Sequence, residues 1–165
     1  YPIFSTQIAL MYQGELVLGV SNAPAWNGGK GEMAYAVKGQ GAYLNGAKIQ
    51  VSEISSLNKA TLSTGNIASL AKDKKAWENL GELMPKVHRM RGYGDFFHYH
   101  LFASGKIDIV IESDVNILDI AALSVIVNES GGDFTDLSGH PLGLETRSVL
   151  ASNGKLRQLL PAFNL

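Results

Sequence analysis

The first third of the chain has the apolar, branched runs and turn residues that are typical of β-strands. Residues 5–12 and 15–20 are two such runs, separated by Gln13-Gly14, a short hairpin link. Residues 25–32 form a glycine-rich loop, and residues 33–52 supply two or three more strands, with Asn45-Gly46 as a type I′ turn signal. The pattern predicts a sheet region whose strands are joined largely by hairpins.

From residue 60 onward the pattern alternates between strands and helices. The strands are predicted at residues 60–64, 86–91, 106–112 and 148–152, and the helices at residues 67–84, 95–104, 120–130 and 155–163. Gly105 and the pair Gly131-Gly132 are expected to end two of these helices. We therefore predict one layered α/β unit over residues 1–165, with a first sheet region at 1–66 and an α/β region at 67–165.

Composition narrows the class of protein without identifying it. The chain has 165 residues, of which 45% are hydrophobic and 18% charged, with a formal net charge of −1. The length suits one compact core, and the near-neutral charge predicts that nucleic acid is not a partner. No apolar run reaches the roughly 18 to 20 residues of a membrane span, so no membrane partner is expected. The absence of cysteine excludes thiolate chemistry and is consistent with a cytoplasmic location.

Three acidic residues lie at predicted junctions between strands and helices. Asp119 directly precedes a long apolar helix pattern, where it could be a helix cap, a metal ligand, or both. Asp95 is expected to cap its own helix, and Glu112 ends a strand, either as a solvated residue or as a side chain projecting at the edge of the sheet. If these junctions share one edge of the sheet, the three carboxylates converge there.

Other polar residues carry less weight as candidates. The histidines are interpreted as structural or surface residues: His88, His98, His100 and His140. Asp114 and Asn116 are interpreted as turn formers. The stretch "NGGKGE" lacks the spacing of a phosphate-binding P-loop, and its last residue, Glu32, replaces the hydroxyl that such a loop requires.

The stretch "LDIAALSVIVNESGG" resembles the second signature of the inositol monophosphatase family, Trp-Asp-x-Ala-Ala followed by an apolar helix and Glu-Ala-Gly-Gly. Other stretches agree in the order of the family, among them "AYAVKGQGAYLNGAKIQVS" and "RGYGDFFHYHLFASGKIDIVIE". The segment "RGYGD" is most similar to the branch that contains histidinol-phosphate phosphatases and bacterial inositol monophosphatases. Leu118 replaces the usual tryptophan, a packing change that we expect to be tolerated.

This resemblance implies a layered αβαβα fold and a Mg²⁺-dependent phosphatase that acts on a small alcohol phosphate, either an inositol monophosphate or histidinol phosphate. It implies that Asp119 is a catalytic metal ligand and that Glu112 binds hydroxyl groups of the alcohol. Gly94, Asp95 and Phe96 match the stretch that contacts the leaving alcohol. Asp95 departs from the neutral residue of the animal enzymes, and an acid there suits a substrate that carries an amine.

The resemblance also implies that metal-binding elements of the family are absent from these 165 residues. The signature Asp-Pro-Ile-Asp-Gly-Thr would precede Tyr1, so we expect the chain to be the C-terminal portion of a family member and the isolated polypeptide to be inactive. The family favours homodimers or homotetramers. A non-catalytic fragment or assembly module, in which Asp119 serves only as a helix cap, is the alternative interpretation.

Overall fold

The computed structural model describes residues 3–163, which form ten β-strands and four α-helices. The strands are Thr6–Tyr12 (β1), Glu15–Ala23 (β2), Glu32–Val37 (β3), Ala42–Leu44 (β4), Ala47–Ile49 (β5), Thr61–Thr64 (β6), Arg89–Arg91 (β7), Ile109–Ser113 (β8), Gly132–Thr135 (β9) and Ser148–Asn153 (β10). The helices are Ala68–Lys72 (α1), Lys74–Leu83 (α2), Asp95–Ala103 (α3) and Ile117–Glu129 (α4).

The first sheet is an antiparallel meander in the order β1-β2-β3-β4-β5. Its two tightest links are the predicted ones, because Gln13 and Gly14 have φ angles of 50° and 82°, and Asn45 and Gly46 have φ angles of 49° and 82°. Two successive positive φ angles are what a type I′ hairpin turn requires. The hairpins at these two positions are therefore confirmed.

The second sheet is mixed, in the order β7-β6-β8-β10-β9. Strands β7, β6 and β8 run parallel, whereas β10 pairs antiparallel with both β8 and β9. Parallel strands end at the same edge of a sheet, so the segments that follow β6, β7 and β8 all emerge at one edge. This edge positions the candidate site.

Helices α3 and α4 lie between the two sheets, and α1 and α2 cover the far face of the second sheet. The alternation along β8 shows this arrangement, because Ile109 and Ile111 pack with α1 and α2 whereas Val110 packs with α3 and α4. Helix α4 also approaches β2 closely, since a Cβ atom on Gly19 would lie 2.2 Å from the Ala122 carbonyl oxygen. The predicted layered α/β class is confirmed.

The outer face of the first sheet is open to solvent in the part of the chain that the structure describes. Ile8, Leu10 and Tyr12 on β1 are 55%, 53% and 63% exposed. Such a row of apolar side chains is more typical of a covered surface than of a free one. Among residues 3–163, no helix is both long enough and apolar enough to cross a membrane.

The helix predicted over residues 67–84 was wrong as a single element. Asp73 has an extended backbone, with φ −85° and ψ 115°, and its carboxylate accepts a hydrogen bond from Ala76 N at 2.7 Å. An aspartate that caps the following turn competes with helix continuation, and the segment therefore folds as α1 and α2. Helical periodicity alone does not reveal such an internal cap.

The C-terminal helix predicted over residues 155–163 was also wrong, since only Arg157–Leu159 forms a 3₁₀ turn. Leu160 precedes Pro161 and is extended, with ψ 141°, as the proline ring favours for the residue before it.

Strand β9 was not predicted. The pair Gly131-Gly132 was interpreted only as the end of a helix, whereas Gly132 is also the first residue of this strand. Gly132 must be small there, as a Cβ atom would lie 2.6 Å from the Phe102 ring.

Candidate functional site

A cavity of about 340 Å³ opens at the edge where the parallel strands end. It receives side chains from the segments that follow all three of these strands: Asn66 after β6, Asp95 and Phe96 after β7, and Asp114 and Asp119 after β8, with Glu112 from β8 itself. Asp95, Glu112 and Asp119 therefore line one cavity at the edge of the sheet, as predicted. Gly94, the N-cap residue of α3, directly precedes the cavity residue Asp95.

Asp119 does not occupy the predicted N-cap position of α4. Helix α4 begins two residues earlier than Asp119, and its N-cap is Asn116, whose Oδ1 accepts from Leu118 N at 2.9 Å. Asp119 completes a capping box, because its Oδ2 accepts from Asn116 N at 3.1 Å and from Asn116 Nδ2 at 2.5 Å. Asn116 is therefore a helix cap and more than a turn former.

Leu118, which replaces the tryptophan of the signature that the sequence resembles, is 80% exposed.

Asp95 is not the cap of α3, which is a further correction. The N-cap is Gly94, with φ 69° and ψ −177°, and no side chain caps this helix. Asp95 is the first helical residue and itself has a φ angle of 50°, a conformation that aspartate tolerates better than most residues. Its exposed carboxylate therefore faces the cavity without the capping bond that was predicted for it.

Glu112 is buried, only 6% exposed, so its interpretation as a solvated strand end was wrong. Its Oε2 accepts a hydrogen bond from Tyr99 Oη at 2.7 Å and lies 3.2 Å from Nε2 of His98. Burial, followed by the charge and the hydrogen bond of Glu112, raises the pKa of the Tyr99 phenol well above its ordinary value. The phenol therefore stays a donor to Glu112 at neutral pH.

Two cavity residues were missed by the sequence analysis. Asn66 follows β6 at the same edge as the acidic residues, and a search for polar residues after each parallel strand would have found it. Tyr99 lies one helical turn after Asp95, so the spacing of four residues on α3 was the available signal. Asp114 has a structural role, because its carboxylate accepts hydrogen bonds from Ser69 N at 2.9 Å and from Ser113 Oγ at 2.8 Å.

The site is only partly equipped to hold a metal ion. Both hydrogen bonds to the Asp119 carboxylate within residues 3–163 go to Oδ2, which leaves Oδ1 suited to a cation. Across the same residues there is no group of three or more histidine, cysteine or acidic side chains that could surround an ion. Asp119 therefore fits the role of a single ligand, and the residues described here do not form a complete cage for a hard cation.

Comparison with known proteins gives a consistent result. The family model described as "Inositol monophosphatase family" matches residues 1–164. A histidinol-phosphatase of Mycobacterium tuberculosis is 36% identical over 94% of this chain and 59% of its own length. A fructose-1,6-bisphosphatase/inositol-1-monophosphatase of Thermotoga maritima is 34% identical over 93% of this chain and 57% of its own length.

The solved structures agree with the sequence relatives. An inositol monophosphatase from Zymomonas mobilis superposes with a TM-score of 0.84 at 28% identity, covering 98% of this chain and 63% of that one. The chain thus spans about three fifths of the length of the relatives that it matches. With a match over nearly all of its residues, the chain belongs to the inositol monophosphatase family.

Proposed function

We propose that the protein to which this chain belongs hydrolyses the phosphate monoester of a small alcohol, either histidinol phosphate or an inositol monophosphate, with Mg²⁺ as cofactor. The observation that carries this proposal is the convergence of Asp95, Glu112 and Asp119 on one cavity of about 340 Å³. This volume lies near the lower end of the range for ligand pockets and suits a small substrate. Relatives named histidinol-phosphatase and inositol monophosphatase support the same two substrates.

Asp119 is the residue of this chain that we assign to the metal. Its Oδ2 is used by the capping box, so the proposed ligand atom is Oδ1. When bound, Mg²⁺ polarises the phosphoryl oxygens and lowers the pKa of a coordinated water. The backbone N–H and the side-chain amide of the N-cap residue Asn116 both donate to the Asp119 carboxylate, and these bonds hold it in place whether or not the ion is present.

The alcohol portion of the substrate is assigned to the other side of the cavity. Glu112 accepts hydrogen bonds from alcohol hydroxyls, and Asp95 pairs with a cationic group when the alcohol carries one. Phe96 contributes a buried side chain to the cavity wall, and Gly94 lets the backbone turn at this point. Two carboxylates around the alcohol favour a cationic or polyhydroxylated leaving group over an anionic one.

The test is phosphate release by the purified full-length protein. We expect hydrolysis of histidinol phosphate or inositol 1-phosphate with Mg²⁺, and loss of the activity when a chelator removes the metal. Mn²⁺ and Ca²⁺ in parallel reactions identify the preferred ion. Absence of phosphate release from both esters with every metal would contradict the proposed function.

Two further properties of the full-length protein stay predictions. We expect a homodimer or homotetramer, which light scattering checks, and a cytoplasmic location, which cell fractionation checks.

The second candidate is a non-catalytic assembly module. The observation that favours it is the lack, within residues 3–163, of any cluster of three side chains able to hold a metal. In that case Asp119 has only its capping role, and Mg²⁺ does not change the melting temperature of the protein. A Mg²⁺-dependent rise in melting temperature that disappears in Asp119→Asn favours the enzyme instead.

A further inference from the structure

The carboxylate of Glu112 is held by two donors that approach the same oxygen. Tyr99 Oη donates to Oε2 at 2.7 Å, and His98 Nε2 lies 3.2 Å from the same atom. Both residues come from the first half of α3, and both are fully buried, with exposures of 1% and 0%. An ionised carboxylate only accepts hydrogen bonds, so His98 carries a proton on Nε2.

The imidazole of His98 is tied at its other nitrogen as well. Nδ1 lies 3.3 Å from the Ser63 hydroxyl, near the end of β6, and the same hydroxyl accepts from Tyr93 N at 3.3 Å. Nδ1 of the ring and the Ser63 hydroxyl are thus within hydrogen-bond distance of each other. The ring therefore connects β6 to β8 through α3, and its orientation is determined at both ends.

Glu112 lines the cavity, and its remaining oxygen, Oε1, lies beside the two residues that follow β6. Asn66, an exposed residue of the cavity wall, has its backbone N–H 3.4 Å from Oε1. Gly65 is adjacent to the same atom, since a Cβ atom there would lie 2.0 Å from Oε1. The side chain of Glu112 is thus confined between a glycine on one side and two donors on the other. Little freedom is left for the carboxylate to rotate.

We propose that His98 and Tyr99 are positioning residues for the alcohol-binding carboxylate: they occupy Oε2 of Glu112 and thereby present Oε1 as a fixed acceptor for a hydroxyl of the substrate alcohol. This inference rests on the proposed function, because it assigns part of the same site. It goes further by naming two side chains, His98 and Tyr99, that act through Glu112 and determine how tightly the hydroxyl-bearing part is held. A preoriented acceptor binds more tightly than one that must first be ordered.

A purely structural role for these residues makes a different prediction. A buried histidine or tyrosine whose only task is to fill the core affects stability and all substrates alike. A positioning residue affects only substrates that use the Glu112 carboxylate. The ester to compare is therefore one whose leaving group has no neighbouring hydroxyl, such as p-nitrophenyl phosphate.

The experiment measures kcat and KM of the full-length protein for the alcohol ester that it hydrolyses best and for p-nitrophenyl phosphate. Tyr99→Phe removes only a hydroxyl group, and His98→Leu removes the other donor. We expect each to raise KM for the alcohol ester about tenfold, as loss of a hydrogen bond to a charged group does, with KM for p-nitrophenyl phosphate changed less than twofold. His98→Gln, which retains an N–H donor, should restore part of the loss.

Matched controls separate positioning from general damage. Tyr43→Phe removes a phenol that donates to Gln40 O at 3.5 Å in the first sheet, and His100→Leu removes a second buried imidazole, which contacts Glu32 and Ser21. Neither is expected to change the ratio of KM values for the two esters. In a Glu112→Gln background, Tyr99→Phe should have almost no further effect on that ratio, because coupled residues do not contribute additively.

The outcomes are decisive in both directions. Equal rises of KM for the two esters, or additive effects of Tyr99→Phe and Glu112→Gln, overturn the positioning role. If the wild-type protein hydrolyses no phosphate ester, the proposed function fails, and crystal structures then test the geometry alone. A Glu112 carboxylate that keeps its orientation in both Tyr99→Phe and His98→Leu overturns the proposal, whereas a rotated carboxylate supports the positioning that it asserts.

Discussion

The first turns of α3 and α4 present acidic side chains to the same cavity but are built in different ways. At the start of α4, Asn116 and Asp119 exchange hydrogen bonds in a capping box, with Asn116 N 3.1 Å from Asp119 Oδ2. At the start of α3, Gly94 is the N-cap and no side chain caps the helix. Asp95 follows with a φ angle of 50°. One carboxylate therefore has a structural task and the other has none.

Because of this difference, Asp119 and Asp95 contribute differently to the stability of the protein and to the candidate site. The charge of Asp119 is held rigidly by the fold, so the same side chain serves stability and, in our proposal, metal binding. The charge of Asp95 is exposed and makes no capping bond, so its removal should weaken the helix only through the lost interaction with the helix dipole. Its backbone conformation, however, restricts the replacements that can be used, because most residues are strained at positive φ. The two sites should respond differently to the same Asp→Asn substitution.

The largest expected effect is that of Asp119→Asn on turnover. The amide oxygen of asparagine still accepts from Asn116 N, so the helix start is preserved, while the negative charge next to the proposed ion is lost. We expect kcat of the full-length protein to fall about 100-fold or more, since even partners that only orient a metal ligand are worth about 10- to 100-fold. Steady-state kinetics at saturating Mg²⁺ provides the measurement.

A thermal melt of the same variant is the control. The melting temperature of Asp119→Asn without metal should lie close to that of the wild-type protein. Turnover close to that of the wild type would exclude Asp119 as a metal ligand and leave it with its capping role alone.

A smaller effect, on specificity, is expected for Asp95→Asn. Asparagine also tolerates a positive φ angle, so the variant removes charge without adding backbone strain. We expect kcat/KM for histidinol phosphate to fall about tenfold, as expected for a lost charge pair in a partly desolvated site, and kcat/KM for inositol 1-phosphate to change little. Parallel assays with the two esters measure the ratio.

Equal losses for the two esters would show that Asp95 does not recognise a cationic group. Asp95→Ala is a useful second variant, because alanine at φ 50° should add strain and lower stability while the ester ratio changes as in Asp95→Asn.

The capping box itself can be broken at Asn116, and the change in stability that follows can be measured. Asn116→Ala removes the acceptor for Leu118 N and should lower the free energy of unfolding by about 1 kcal/mol. Asn116→Ser, which keeps a capping oxygen, should recover most of this loss. Denaturant unfolding of the two variants measures the difference, and a loss of similar size in both would show that the Oδ1 bond does not stabilise α4.

The sequence predicted the sheets better than it predicted the helix starts. Alternation and the Asn45-Gly46 pair were enough to find the hairpins, because these signals depend on neighbouring residues. The caps were misplaced because several residues near each start can cap, and Asn116 competed successfully with Asp119 for that position. Local pattern cannot choose among such candidates when the surrounding loop decides their backbone angles.

The acidic residues of the candidate site were found by their place after strands, which depends only on the order of elements. The partners of Glu112, His98 and Tyr99, were not found in this way, since they lie in a helix in which six of the nine residues are buried. Their contacts with β8 follow from how α3 packs on the sheet, and a one-dimensional pattern does not contain this geometry. Burial of Glu112 was hidden for the same reason.

The smallest expected effect concerns the start of a third helix, α1, which receives its acid from a distant loop. Asp114 accepts from Ser69 N at 2.9 Å and from the Ser69 hydroxyl. These bonds, together with the hydrogen bond from Ser113, hold the pKa of the Asp114 carboxyl below its usual value.

The pKa of Asp114 is lower in the folded than in the unfolded state, so the ionised carboxylate stabilises the fold above the unfolded pKa of about 4. This stabilisation is lost as pH falls through the folded pKa. We therefore expect the wild type to melt slightly above Asp114→Asn at pH 7, with the difference shrinking as the pH falls below about 4 toward the folded pKa of Asp114. Asparagine tolerates the φ angle of 58° at this position, so the comparison isolates the charge. Melting curves of the two proteins from pH 7 to pH 3 measure the effect, and a melting difference that does not vary with pH would show that the hydrogen bonds of Ser69 do not depend on ionisation of Asp114.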